Sequence, residues 1–248
     1  MATEILSEED FIDSDDETKL GWNSPSYTQS QSVTLAPNVL IANRCIGIEP
    51  DSDEIEHYKL LRTQVQQRTR DKGWNTVMVT SANPGEGKTV TAINLALTFA
   101  LEFSNTALLV DADLKQQNVH KTLGYQSQYG LSDYLLHDQP LNDLIVWPGI
   151  EKLTIISGRR TIENSTELLG STRMRELVHE MKSRYDDRYV IFDVPPLLNV
   201  ADAVAFAPIV DSILMVVEEG RTANSDIQTA LKMIPQEKFL GFVMNRKK

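Results

Sequence analysis

The stretch "SANPGEGKTVTAINLA" (residues 81–96) orders two glycines, a lysine and a threonine in a way that suits gripping a polyphosphate. In Ala82-Asn83-Pro84-Gly85-Glu86-Gly87-Lys88-Thr89, the glycines let the backbone approach an anion and turn several N–H groups toward it. A helix starting at Lys88 would add the partial positive charge of its N-terminus. The Lys88 ammonium can reach the outer phosphates, and the Thr89 hydroxyl can ligate Mg²⁺. This is a Walker A pattern with alanine at the first position, where the strict form has glycine. Pro84, Gly85, Glu86, Gly87, Lys88, Thr89 and Val90 are the candidate phosphate-binding residues.

Two carboxylate sites follow. Asp193 closes the apolar run "YVIFD", and Asp111 and Asp113 close "ALLVDAD". In a parallel α/β sheet the carboxyl ends of the strands face the ligand crevice. Buried carboxylates are costly without a cation, so acids at two such ends point to Mg²⁺ and to a base that orients or deprotonates a nucleophile. Thr89, Asp111 and Asp193 are the candidate metal ligands. Lys88, Asp111 and Asp113 are the candidate catalytic groups. The competing reading for any one acid is an exposed loop residue.

Positioning these groups requires alternating strands and helices, and the sequence supplies them. "TVMVTS" (76–81), "ALLVDAD" (107–113), "LTIISG" (153–158), "YVIFDVPP" (189–196), "SILMVVEEG" (212–220) and "FLGFVMN" (239–245) read as strands. Their near-continuous apolar character marks strands covered on both faces. Between them, 88–103 is apolar almost all round, 171–185 carries Met174, Leu177, Val178 and Met181 at helical spacing, and 222–234 reads as a helix. Before them, 53–70 has acids in its first turn, bases in its last, and the stripe Ile55, Tyr58, Leu61, Val65, with Gly73 as its stop. The fold class expected is α/β, a largely parallel central sheet with helices on both faces, of the P-loop NTPase type. Residues 1–35 read as a flexible acidic and polar tail. Residues 36–248 form one domain, with 36–53 an extended segment lying on it.

Composition narrows the partners. The 248-residue chain has a net charge of −11 and is 41% hydrophobic. Only short basic pairs interrupt the acidic balance, which disfavours nucleic acid. No run approaches the roughly 20 apolar residues of a membrane span. The one cysteine, Cys45, excludes an internal disulfide and reads as an inert thiol near a boundary. The four histidines, His57, His120, His137 and His179, show no zinc spacing and read as surface residues.

Several ordered motifs carry a family resemblance. "LLVDADLK" resembles the second nucleotide motif of the bacterial tyrosine autokinases (BY-kinases), and "VIFDVPPLL" resembles their Walker B segment. "SANPGEGKT", "ENSTELLGSTRMREL" (163–177), Asp202-Ala203, "VVEEGRT" (216–222) and "GFVMN" (241–245) are similar to theirs as well, so the resemblance spans about residues 54–246. It implies ATP and Mg²⁺ as cofactors, with Lys88 and Thr89 on phosphate and metal, Asp193 completing the metal site, and Asp111 or Asp113 acting on the attacking hydroxyl. Asn245 matches a position that contacts adenine in related ATPases; read alone, it is a strand-end turn residue. The loop lacks the extra lysine of partition-type ATPases.

Lys115 stands where these kinases usually carry arginine. Their Glu-x-x-Arg-x-x-Arg oligomerisation motif becomes Glu56-x-x-Lys59-x-x-Arg62, which keeps the charge but loses one bidentate fork. Self-association through the 54–70 helix is the implied use. No terminal tyrosine cluster follows Asn245, and among the seven tyrosines Tyr27 alone falls in the expected tail. The resemblance implies tyrosine phosphorylation in exopolysaccharide or capsule assembly. It implies a cytoplasmic location, at the inner membrane face through a membrane-spanning chain-length partner that would be a separate chain. The rival expectation is a nucleotide-driven assembly switch that phosphorylates no tyrosine.

Overall fold

Six apolar runs become strands of one sheet, five of them interior and the last, 239–245, at its edge. The computed structural model of the chain describes residues 31–48 and 52–246. In chain order the elements are β1 (Gln31–Ser32), α1 (Pro37–Ala42), α2 (Asp53–Thr69), β2 (Thr76–Ser81), α3 (Lys88–Ala100), β3 (Thr106–Asp111), α4 (Val119–Leu123), α5 (Leu131–His137) and α6 (Leu141–Leu144). Then come β4 (Ile145–Trp147), β5 (Leu153–Ile156), α7 (Ser165–Leu169), α8 (Thr172–Ser183), β6 (Arg188–Asp193), α9 (Asp202–Phe206), β7 (Ser212–Glu218), α10 (Asn224–Leu231) and β8 (Phe239–Asn245). Among the described residues the sheet has eight strands in the order β1-β4-β5-β3-β6-β2-β7-β8. Every pairing is parallel except β4 with β5. The carboxyl ends of β2, β3, β6, β7 and β8 therefore share one edge.

Side chains alternate across the sheet with the strand period of two. Val77, Val79, Leu109, Ile191 and Leu214 face α3 and α2, with Ile93, Leu97 and Phe99 of α3 and Val65 of α2 in the same cluster. Met78, Leu108, Val110, Val190, Phe192 and Met215 face the other way, onto Met174, Leu177, Val178 and Met181 of α8 and Phe206 of α9. Helices thus cover both faces, as expected from strands apolar throughout.

Several boundaries move. β3 stops at Asp111 rather than Asp113, because the Asp111 carboxylate turns the chain by accepting from the Asp113 and Val119 amides. β6 stops at Asp193, just before Pro195 and Pro196, which lack the N–H a ladder needs. The segment after β1 is not extended. It holds α1, opened by a proline at its first turn, and a 3₁₀ turn at Ile46–Ile48. Asn94 of α3 pins it, donating to Arg44 O at 2.8 Å and accepting from Gly47 N at 3.3 Å. Gln31 and Ser32, read as tail, pair with Val146 and Trp147 of β4. The rest of that tail, Tyr27 included, lies outside the described residues. His120 is half-buried rather than a surface residue. Cys45 is fully buried, and burial pushes its thiol up to about 11.

Helix α2 is anchored at two points. Arg62 Nη1 donates to Thr98 O of α3 at 2.9 Å. Arg68 Nη1 donates to Leu240 O. Leu240 is the bulged residue of β8, since Ile213 lies opposite Phe239 but Leu214 lies opposite Gly241. Lys59 pairs with Glu56 within the helix at 2.7 Å, and Leu60 is 58% exposed.

Candidate phosphate and carboxylate site

The loop between β2 and α3 folds into a cup because of two glycines and one buried glutamate. Gly85 and Gly87 have φ of 81° and 94°, conformations that glycine alone adopts without strain. A Cβ on Gly85 would meet nothing within 4 Å, so the loop is open there. A Cβ on Gly87 would lie 1.9 Å from Asn245 Nδ2. The first helical hydrogen bond of α3 is Thr91 N–H to Gly87 O at 3.0 Å. The N–H groups of Lys88, Thr89 and Val90 precede it, the orphan donors that every helix N-terminus leaves. Val90 itself is half-buried.

Glu86, expected as a cup residue, turns its side chain inward and braces the loop. It is 2% exposed. Its Oε2 accepts from Asn83 N at 3.0 Å and its Oε1 from the Thr222 hydroxyl at 2.6 Å. Asn83 Nδ2 donates to Asp226 Oδ2 at 2.9 Å. Thr222 closes the family-like motif "VVEEGRT", which carried no assigned role, and Asp226 had no signal beyond a polar residue at the start of α10.

Lys88 projects into the acids. Its Nζ lies 2.7 Å from Asp113 Oδ2 and 3.2 Å from Asp193 Oδ1. Thr89 Oγ1 donates to Asp193 Oδ2 at 2.7 Å. Asp111 and Asp193 are directly paired in register at the ends of β3 and β6, and both are fully buried. Burial works against the Lys88 ammonium, but the carboxylates of Asp193 and Asp113 outweigh it and hold its affinity for the proton above the ordinary range. Burial and the Asp193 charge push the Asp111 carboxyl well up. Burial also raises Asp193, against the pull of Lys88.

The three acids are placed differently. Asp111 spends one oxygen on Asp113 N (3.2 Å) and the other on Val119 N (3.1 Å). Asp113 Oδ1 accepts from Gln116 N at 3.0 Å, and its Oδ2 accepts from Lys88 Nζ. Asp193 faces both Lys88 and Thr89. Asn245 ends β8 against the loop, where its Nδ2 donates to Glu86 O at 2.9 Å.

The segments with motif character behind the loop form its support. Thr80 Oγ1 donates to Pro195 O at 2.7 Å, and Leu197 N to Ser81 O at 2.9 Å. Lys115 Nζ donates to Glu163 O at the head of "ENSTELLG". Thr166 of α7 bonds Asp202 of α9.

The residues fit a nucleotide with Mg²⁺. Among the described residues, no group of three or more His, Cys, Asp or Glu side chains could hold a metal by itself. The Thr89 hydroxyl and Asp193 carboxylate are hard oxygen donors, and Mg²⁺ characteristically takes one or two protein oxygens together with phosphates and water. The open glycine cup would supply the phosphate side.

The family model described as an AAA domain matches residues 75–239. The chain is 36% identical over 202 residues to the tyrosine-protein kinase YwqD of Bacillus subtilis, covering 81% of this chain and 84% of that one. The crystal structure of the chimerical protein CapA2B2 superposes with a TM-score of 0.75 at 26% identity, covering 94% and 98% of the two chains. The septum site-determining protein MinD of Pyrococcus horikoshii, solved with Mg-ADP, superposes with a TM-score of 0.57 at 26% identity, covering 69% and 70%.

Proposed function

The chain belongs to the bacterial tyrosine autokinase family, P-loop protein-tyrosine kinases of the capsule and exopolysaccharide type, and on that premise we propose how this site divides the transfer. The observation that carries the proposal is the Lys88 ammonium 2.7 Å from Asp113 and 3.2 Å from Asp193, with Thr89 on the second Asp193 oxygen. Lys88 moves from the acids to the outer phosphates when ATP enters. Thr89 and Asp193 would hold Mg²⁺, which when bound neutralises phosphate charge. Release of Lys88 leaves Asp113 Oδ2 without its cation and able to accept the proton of a tyrosine hydroxyl. The tyrosine oxygen then attacks the γ-phosphorus as the bond to ADP breaks.

Asp111, with both oxygens on backbone amides, is a positioning residue that fixes the turn carrying Asp113. The backbone of Pro84 to Val90 cradles the phosphates, with Glu86 keeping its shape. Asn245 borders the adenine end, where its amide offers a base edge both donor and acceptor.

Partner and location follow the family. No described helix is long and apolar enough to cross a membrane. We infer a separate membrane-spanning chain-length protein as the partner, a cytoplasmic setting beside it, and self-association through α2. The chimeric character of CapA2B2 supports a kinase that works with a second polypeptide.

The test is incubation of the full chain with Mg·ATP, followed by assays for phosphotyrosine and free phosphate. Phosphotyrosine is expected. It should vanish in Lys88→Met, fall about 10²-fold or more in Asp113→Asn, and require Mg²⁺. Free phosphate without any labelled tyrosine would replace the kinase mechanism with the nucleotide switch.

A further inference from the structure

Among the described residues β8 forms one edge of the sheet. Glu219 N donates to Asn245 O at 3.1 Å, so the Asn245 carbonyl points back toward β7. Peptide groups alternate along a strand, so those of Leu240, Phe242 and Met244 point outward. Arg68 Nη1 covers the Leu240 carbonyl. The N–H and C=O groups of Phe242 and Met244 face outward with no strand beside them among the described residues. Their side chains are 46% and 59% exposed. Both lie on the α10 face, since they pair in register with Met215 and Val217 of that cluster. The Phe242 ring packs edge-on to Phe239 at 5.0 Å. Free edges are commonly blunted by charge, proline or a bulge. Here the bulge sits at Leu240, and past it the edge offers two large apolar residues and no charge before Arg246. An open apolar edge of this kind is what an added strand takes.

We propose that residues 8–13 of this same chain, Glu8-Glu9-Asp10-Phe11-Ile12-Asp13, pair with β8 as an added strand. Charge selects this segment. Residues 221–248, which hold α10 and β8, carry six bases against two acids. Glu218 is shared by Arg221 at 3.2 Å and Arg246 at 2.9 Å, so that trio keeps a net positive charge. Residues 1–30 carry eight acids against one base, and seven of those acids flank Phe11 and Ile12 between positions 8 and 17. Successive side chains of a strand alternate, so one of Phe11 and Ile12 meets the Phe242 and Met244 face in either register. Reach permits the pairing. Gln31 lies in β1 at the opposite edge, about 34 Å away at about 4.8 Å per strand. Residues 14–30 can extend about 55 Å. A second copy fits less well, because antiparallel pairing about Val243 would set Arg246 of each copy against the Arg68 that covers Leu240 of the other.

The experiment uses the full chain with Phe11 replaced by photoreactive p-benzoylphenylalanine. Irradiation and peptide mass spectrometry should give one dominant cross-link, to residues 227–246, formed within a single chain when isotopically light and heavy protein are mixed. Met244→Glu sets a like charge on the exposed edge and should cut that product about tenfold. Amide exchange gives an independent reading. The Phe242 and Met244 N–H groups should be protected in the unmodified chain. Phe11→Asp combined with Ile12→Asp should speed their exchange about tenfold or more while leaving Val77 of β2 unchanged. Cross-links scattered over the surface, a β8 product indifferent to Met244→Glu, or edge amides that exchange at open-strand rates in the unmodified chain would each overturn the pairing. Mixed-mass products would overturn it in favour of a second copy.

Discussion

Gly87→Ala should damage the loop in a way that Asn245 controls. The φ of 94° places an L-residue in left-handed territory, at a cost of about 1–2 kcal/mol. The new Cβ would stand 1.9 Å from Asn245 Nδ2, so that amide must retreat by more than an ångström to reach ordinary contact. Retreat breaks its 2.9 Å bond to Glu86 O, worth about 1 kcal/mol. The single variant should therefore lose about 2–3 kcal/mol. Asn245→Ala alone should lose about 1 kcal/mol for the same bond. In the double variant the clash is gone and the bond is counted once, so its loss should match that of Gly87→Ala rather than the sum. Urea unfolding of all four proteins measures the coupling, expected near 1 kcal/mol. Additivity within about 0.3 kcal/mol would mean that the two side chains do not meet, and the account of the loop would fall.

Three further outcomes follow from the same geometry. Lys88→Met strands buried Asp113 and Asp193 without their cation and should lower nucleotide-free stability by about 3–5 kcal/mol; a urea midpoint equal to wild type would refute the pairing. At Asp211 burial favours the neutral form, but the Lys182 ammonium, the Thr76 hydroxyl and the Asn75 amide outweigh it and hold the carboxyl below its usual range. Its contribution is therefore full above the unfolded value of about 3.9 and fades as pH falls through the folded one. Asp211→Asn should trail wild type by about 1–3 kcal/mol at neutral pH, with the gap closing in strong acid; a gap that widens on acidification would contradict this. Cys45, buried with its thiol pushed up to about 11, should resist a thiol reagent at pH 8 until urea unfolds the chain, and prompt labelling of the native protein would show the packing to be wrong.

How much of this could be read from residues alone depended on locality. β2, β3, β5, β6 and β7 were legible because strands covered on both faces read as unbroken apolar runs. β1 is two polar residues, and β4 is three residues buried in "LNDLIVWPG", so neither carries a period. α4 and α7 have five residues each, under two turns, too few for a helical stripe to repeat. The glycine cup, Lys88 and Thr89 were visible because they are contiguous, and Asp111 and Asp193 because each ends a strand, with Asp113 two residues beyond. The inward turn of Glu86 onto Thr222, 136 positions away, was not visible.

The two arginine bolts of α2 make that helix a crossbeam. Its middle is fastened through Arg62 to the helix that begins at Lys88, and its C-terminal end through Arg68 to the strand that finishes at Asn245. A neighbour pressing on the outward Leu60 leans on both mountings at once. With subunits docked on α2 as proposed, docking and nucleotide capture would share one truss, and neither would shift without loading the other.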